Sequence, residues 1–263
     1  MLFLILMKYQ YLSEPVTIKK VSEDTRKGVF EIEGLYTGYG LTIGNSLRRA
    51  LLSSLPGTAI TQVKIKNANH EFGTLPGMSE SILDLILNLK RVRLHSYSDD
   101  PQVLVLKSKG SGKVTASAIE TTSEVSVVTP DVHLATLSEK NSELEIELTI
   151  EKGLGYSPIE SRKIEKLGVG AIALDALFSP VLKVDYKVTE MRVGERTDYN
   201  KIIMEIETDG TITPSSALHK AANILKDNFE KLASVEVMEF SEEALGLEKK
   251  EDKVKKTAKK KKE

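Results

Sequence analysis

The stretch Gly38–Gly57, GYGLTIGNSLRRALLSSLPG, constrains the fold of this chain more than any other. Three closely set glycines, Gly38, Gly40 and Gly44, follow a strand-like run ending at Leu35, and Pro56-Gly57 stops what lies between. The spacing predicts a helix that opens at Thr42 as N-cap and carries Ile43, Leu47, Ala50, Leu51 and Leu55 on one apolar stripe. Asn45, Arg49 and Ser53 fall on another side, flanked by Arg48 and Leu52. Such a helix can pack on its own domain and still present charge to something else. Strand, glycine loop and helix in succession invite a dinucleotide fingerprint, but Ile43 stands where the third glycine belongs and the next glycine comes one residue late. No G-K-[ST] follows, so a P-loop is excluded.

The remaining pattern predicts an α+β chain. Val16–Val21 and Gly28–Leu35 read as strands, and Ala59–Lys66 as a half-buried one. After a loop over Asn67–Gly77, Ser79 is expected to cap a second helix running to about Lys90, apolar around most of its circumference. From residue 92 to 153 the texture is β: Val103–Lys107, Lys113–Ile119, Val125–Val128, Leu134–Leu137 and the strictly alternating Leu144–Glu151. Gly110–Gly112 reads as a hairpin turn, and Ser157–Gly170 as loop. Val181–Val193 and Lys201–Thr208 are two further strands joined by Gly194–Asn200. Thr213-Pro214 is an N-cap followed by proline at the first helical position. The helix it starts should reach about Leu232, with Leu218, Ala221, Leu225 and Phe229 on one face.

Composition narrows the chemistry. Without a single cysteine, disulfides, zinc-thiolate sites and thiol nucleophiles are excluded. The four histidines, at 70, 95, 133 and 219, stand at no metal-ligand spacing, and no hydrolase or zincin motif is present. The residues therefore suggest no catalytic site, no metal and no cofactor in this chain. The net charge of −1 conceals an asymmetry, because nine lysines against four acids make residues 248–263 a basic tail on an acidic body. That tail, part of a stretch 241–263 expected to be disordered, could attract DNA weakly through counterion release. The apolar opening MLFLIL is too short for a membrane span; it either precedes a true start at Met7 or extends a strand, and no membrane segment is expected.

Five collinear motifs resemble the bacterial-type RNA polymerase alpha-subunit family. They are the Gly38–Gly57 helix, HEFGTLPGMSESILDLILNLK at 70–90, GLGYSP at 153–158, DALFSPVLKVDYKV at 175–188, and RVGERTDYNKIIMEIETDGTITP with the ALHKAANIL helix from 192. The resemblance implies a discontinuous dimerisation domain from residues 8–56 and 183–240, an antiparallel sheet plus two seam helices, with a mostly-β domain inserted over 57–182. It implies a homodimer whose seam uses Ile43, Leu47, Leu51, Leu218, Ala221, Leu225 and Phe229. It further implies that Arg48, Arg49 and Leu52 face a beta subunit, and that Lys90, Leu174 and Val181 face a beta-prime subunit.

The chain would then be a non-catalytic assembly subunit of a nucleotidyltransferase, meeting DNA through the complex, in the bacterial cytoplasm near the nucleoid or else in a plastid. Asn200 departs from the usual aspartate of T-D-Y-D, and the family's C-terminal DNA-binding module has no counterpart before the lysine tail. A free-standing dimeric β-rich binding module and, more remotely, a dinucleotide enzyme are the alternatives.

Overall fold

A computed structural model describes residues 16–68, 70–161 and 170–235. The expectations for MLFLIL and for the lysine tail lie outside them. The elements in order are β1 (Thr17–Glu23), β2 (Lys27–Leu35), α1 (Tyr39–Ser53), β3 (Pro56–Ile65), α2 (Ile82–Leu89), β4 (Leu94–Ser96), β5 (Gln102–Lys109), β6 (Gly112–Thr115) and β7 (Ile119–Glu120). There follow β8 (Val125–Val127), β9 (His133–Leu137), β10 (Glu143–Leu154), β11 (Tyr156–Ser157), β12 (Ala171–Ala173), β13 (Ala176–Leu177), β14 (Val181–Val193), β15 (Arg196–Thr208) and α3 (Pro214–Ala233). Residues through Lys226 form one unit, and those from Asp227 a second.

The first unit holds two separate apolar cores. An antiparallel sheet ordered β1-β2-β15-β14 carries one of them. Phe30, Ile32, Val184, Ile202 and Met204 from its strands meet Leu47, Ala50, Leu51 and Leu55 from α1 and its exit, with Ala217 and Ala221 from α3. A five-stranded sheet, β12-β3-β10-β5-β7, carries the other, built on Val63, Leu104, Leu106, Ile146 and Leu148 and closed by Leu85 and Leu89 of α2. Three two-stranded ladders, β4-β8, β6-β9 and β11-β13, complete the pairing. Since β2 and β3 belong to different sheets, the strand–glycine–helix passage is no βαβ crossover, and the dinucleotide reading has no scaffold.

Several local expectations are corrected. Helix α1 starts at Tyr39, and its N-cap is Gly38 (φ 86°), a left-handed position that suits glycine. Thr42 lies inside the helix, its carbonyl accepting from the Ser46 hydroxyl. The capping oxygen comes instead from β15: Asn200 Oδ1 accepts from the Gly38 and Gly40 amides at 2.9 and 3.2 Å. Helix α2 is capped by Ser81 and not Ser79. Ser81 Oγ accepts from Asp84 N–H, and Asp84 reaches back to Ser81 N–H, a complete capping box. Only one face of α2 is buried, and Leu83 and Leu87 are exposed.

The turn at Gly110–Gly112 is no hairpin, for β5 pairs with β10 and β7 while β6 pairs with β9. Lys113–Ile119 breaks into β6, a 3-10 turn over Ala116–Ala118 and β7. Strand β15 begins five residues before Lys201, so β14 and β15 form a hairpin closed by Gly194-Glu195. Arg196 clamps it with a bidentate pair to Asp198 at 2.6 and 3.0 Å, which holds the carboxyl far below its usual range.

Helix α3 starts at Pro214 as expected, with Thr213 Oγ1 accepting from Ser216 N–H. A second acceptor is Glu23 from β1, whose Oε1 takes the Ser215 amide at 2.8 Å. The Ser215 hydroxyl and amide, then the Lys20 ammonium, lower the Glu23 pKa from 4.5 to about 2. A depressed carboxylate contributes stability above its unfolded pKa and loses it as pH falls through the folded one. Glu23→Gln is therefore expected to cost about 1–2 kcal/mol at pH 7, after discounting for partial exposure, and markedly less near pH 2, where the folded carboxyl begins to protonate. Urea unfolding of both proteins between pH 2 and 7 measures this; a gap constant with pH would exclude the linkage.

Candidate protein-interaction surfaces

Two surfaces collect the charged residues singled out in the sequence. The first is the outer face of α1. The helix is seated on β14 and β15 so closely that a Cβ on Gly40 would fall 2.6 Å from Val188 Cγ1, and one on Gly44 2.7 Å from the Tyr186 ring. This packing turns Arg48 and Arg49 outward, both exposed, with Leu52 half-buried beside them. Arg48 Nε donates to the Val184 carbonyl at 3.3 Å. The Arg49 guanidinium has no partner among the described residues. An unpaired planar fork on a rigid helix suits a carboxylate on another molecule.

The second surface surrounds Lys90, the residue that ends α2. Lys90 Nζ donates to Asp175 Oδ2 at 3.3 Å. Asp175 also accepts from the Ile159 amide at 3.1 Å. The Ile159 N–H, offset in part by burial and joined by Lys90 and Tyr156, holds the Asp175 carboxyl below the usual carboxylate range. These groups open on a cleft of ≈ 210 Å³ that Leu89, Arg93 and Leu177 also line. On the far side of α2, Glu80 ties the helix to β9, accepting from His133 Nε2 at 3.0 Å and from the Thr136 amide at 2.7 Å.

The other residues expected to face beta-prime stand elsewhere. Leu174 and Val181, 3% and 4% exposed, fill the two cores, so their side chains offer no outer surface. The expected seam residues also divide. Leu47, Leu51 and Ala221 are buried in the chain's own core; Ile43, Leu218 and Leu225 pack against it half-exposed. Phe229, 60% exposed, is the one of the seven that is open to solvent. Core formation thus accounts for three positions that periodicity could not assign. No group of three or more acidic or histidine side chains among the described residues is placed to hold a metal. Nor is any described helix long and apolar enough to cross a membrane.

A family model, the RNA polymerase Rpb3/RpoA insert domain, matches residues 63–179, which hold most of the five-stranded sheet and its core. The DNA-directed RNA polymerase subunit alpha of Symbiobacterium thermophilum is 45% identical over 232 residues, 88% of this chain and 73% of that protein. The chain belongs to the RNA polymerase alpha-subunit family. Alpha subunits of Alkaliphilus oremlandii (42% identity over 81% of this chain and 67% of that protein) and Desulfitobacterium hafniense (43%, over 84% and 72%) are similar as well.

Within this alpha-subunit fold, the roles of four residues escaped the sequence reading. Asn200 was visible only as a departure from a motif, and its capping role spans 160 residues of chain. Asp175 holds Lys90 across 85 residues. Tyr156 and Leu177 meet in a two-residue ladder too short to leave a periodicity. A Ser-x-x-Asp reading at Ser81 could have found the α2 cap.

Proposed function

We propose that the chain acts as the alpha subunit of a DNA-directed RNA polymerase: it forms a homodimer and brings the beta and beta-prime subunits together. In this reading nucleotidyl transfer takes place on the partner subunits, in the cytoplasm, and the chain contributes surfaces rather than catalytic groups. The observation that carries the beta contact is the Arg49 guanidinium, unpaired among the described residues, on a helix held by Asn200 at its start and by Leu51 and Leu55 in the core. Arg48 is partly tethered by Val184, so Arg49 should contribute more. Half-exposed Ile43, Leu218 and Leu225 and exposed Phe229 supply apolar area for the seam, in which each helix meets its symmetry mate across an isologous interface.

Co-expression with the beta and beta-prime subunits of the same source tests this. Arg49→Ala is expected to remain dimeric and to lose beta recovery about tenfold or more, as removing a central charged contact does. Undiminished beta recovery would remove Arg49 from the interface. A wild-type chain that purifies with neither large subunit would count against the assembly reading as a whole.

A further inference from the structure

We propose that the cleft lined by β4, the end of β10 and α3 binds a phosphate group, either inorganic phosphate or the terminus of a small phosphate monoester. The inference goes beyond the assembly reading and does not rest on it.

Size limits the ligand. The cleft measures ≈ 210 Å³, below the roughly 300–1,000 Å³ of small-molecule and cofactor sites, which suits one phosphate group better than a whole nucleotide. Its walls come from both cores, since Leu94 belongs to one and Ile212 packs on the other. Pro56 and Pro180 add rigid apolar surface. Apolar walls lower the local dielectric and strengthen whatever charge attraction the cleft offers.

The polar lining is rich in donors and poor in acceptors. His95 of β4, Lys152 of β10 and Lys220 of α3 bring an imidazole and two ammonium groups to one place, across 125 residues of chain (220 − 95). Asp99 is the one acid of the lining. Its side chain is 96% exposed and meets Lys152 Nζ at 2.7 Å, a rim pair that a more highly charged anion can share or replace. That bond uses one of the three Lys152 N–H donors. The Lys220 ammonium has no partner among the described residues, and neither has a ring nitrogen of His95. The His95 ring is nonetheless held in place, edge-on to Tyr97 with centroids 4.7 Å apart. Thr58 Oγ1 accepts from the Ser96 amide at 3.3 Å, so its own hydroxyl proton is free to donate. The Thr211 hydroxyl, by contrast, is already given to Asp209 at 2.6 Å. A carboxylate would match the charge of one lysine. A phosphate dianion matches both, and its remaining oxygens take the imidazole and hydroxyl protons. Bound there, it would join Lys220 to His95 and Lys152 and stabilise the folded chain by mass action.

Calorimetric titration of the full chain with inorganic phosphate, at fixed ionic strength, tests the site. Lys220→Ala should weaken binding about tenfold, as loss of one charge-assisted contact does, whereas Lys220→Arg keeps the charge and should stay within about threefold of wild type. His95→Ala should weaken it severalfold. Lys113→Ala removes an exposed lysine of β6, outside the cleft, and should change nothing. Melting gives a second readout. Phosphate raises the Tm of most proteins through exclusion, so the expected signature is a larger gain for wild type than for Lys220→Ala. Glycerol phosphate, titrated in parallel, separates the two sources. Binding that Lys220→Ala weakens supports the monoester, and failure beside binding of inorganic phosphate supports the free ion. Wild-type affinity in both Lys220→Ala and His95→Ala overturns the site. An equal loss with Lys113→Ala and Lys220→Ala also overturns it, because the attraction would then be diffuse. So does a wild-type chain that binds neither probe.

Discussion

Gly57→Ala is expected to destabilise the chain by more than about 3 kcal/mol. Gly57 lies opposite Gly153 across the β3-β10 ladder. The two missing side chains leave a gap that Phe178 fills, its ring 2.6 Å from where a Gly153 Cβ would stand. A Cβ on Gly57 would fall 1.7 Å from the Phe178 carbonyl oxygen, and 3.4 Å from Pro180. The obstacle is backbone, which has no rotamer to change. Phe178 is held besides by the hydrogen bond that its N–H donates to the Gly155 carbonyl at 2.8 Å, and it sits where the chain passes from β13 into β14. Gly153→Ala meets only the ring, which can shift, and should cost less. Denaturant unfolding of the two variants gives the comparison. A Gly57→Ala protein within 1 kcal/mol of wild type would mean that the passage from β13 to β14 yields, contrary to its packing.

Leu51→Ala is the second large effect, and it separates core from seam. The side chain is 0% exposed, surrounded within one protomer by the sheet residues and by Leu47 and Leu55. Deleting such a group removes its transfer free energy and leaves a cavity, together about 2–5 kcal/mol. The melting temperature should fall by roughly 5–15 °C for a chain of this size. The fall should be the same at low and high protein concentration, because the lost contacts are intramolecular. A residue of the proposed seam would behave differently, giving a folded variant in which the proposed dimer dissociates on dilution. Phe229→Ala is the matched control, since its exposed ring contributes little to the chain's own packing. Should Leu51→Ala dissociate on dilution while melting normally, Leu51 would belong to the seam after all.

Some of these distinctions were within reach of the sequence. The alternation in LEIELTIE is the long central strand β10, because a strand with one face against each of two environments writes its period into the chain. Thr213-Pro214 marks the start of α3, because a cap and a fixed φ are local requirements. The stripe on α1 announced a buried face. It could not say what buries it, and the β sheet of the same protomer takes Leu47 and Leu51. The α1 cap shows the limit most clearly. A local rule looks for a hydroxyl at Thr42, whereas the oxygen that satisfies the Gly38 amide belongs to Asn200, 162 residues away.

By itself, then, the sequence determined the α+β class, the strong strands, the start of α3, the family, and the pair of arginines that the first helix exposes. Those properties depend on neighbours three or four residues apart, or on motifs long enough to be specific. Tertiary structure alone decided which apolar stripe residues are core, which acceptor caps α1, and that Asp175 brings Lys90 and Tyr156 to the rim of one cleft. Each of these is a contact between residues distant in the chain, set by how helices settle on a twisted sheet, and no local period or cap records it.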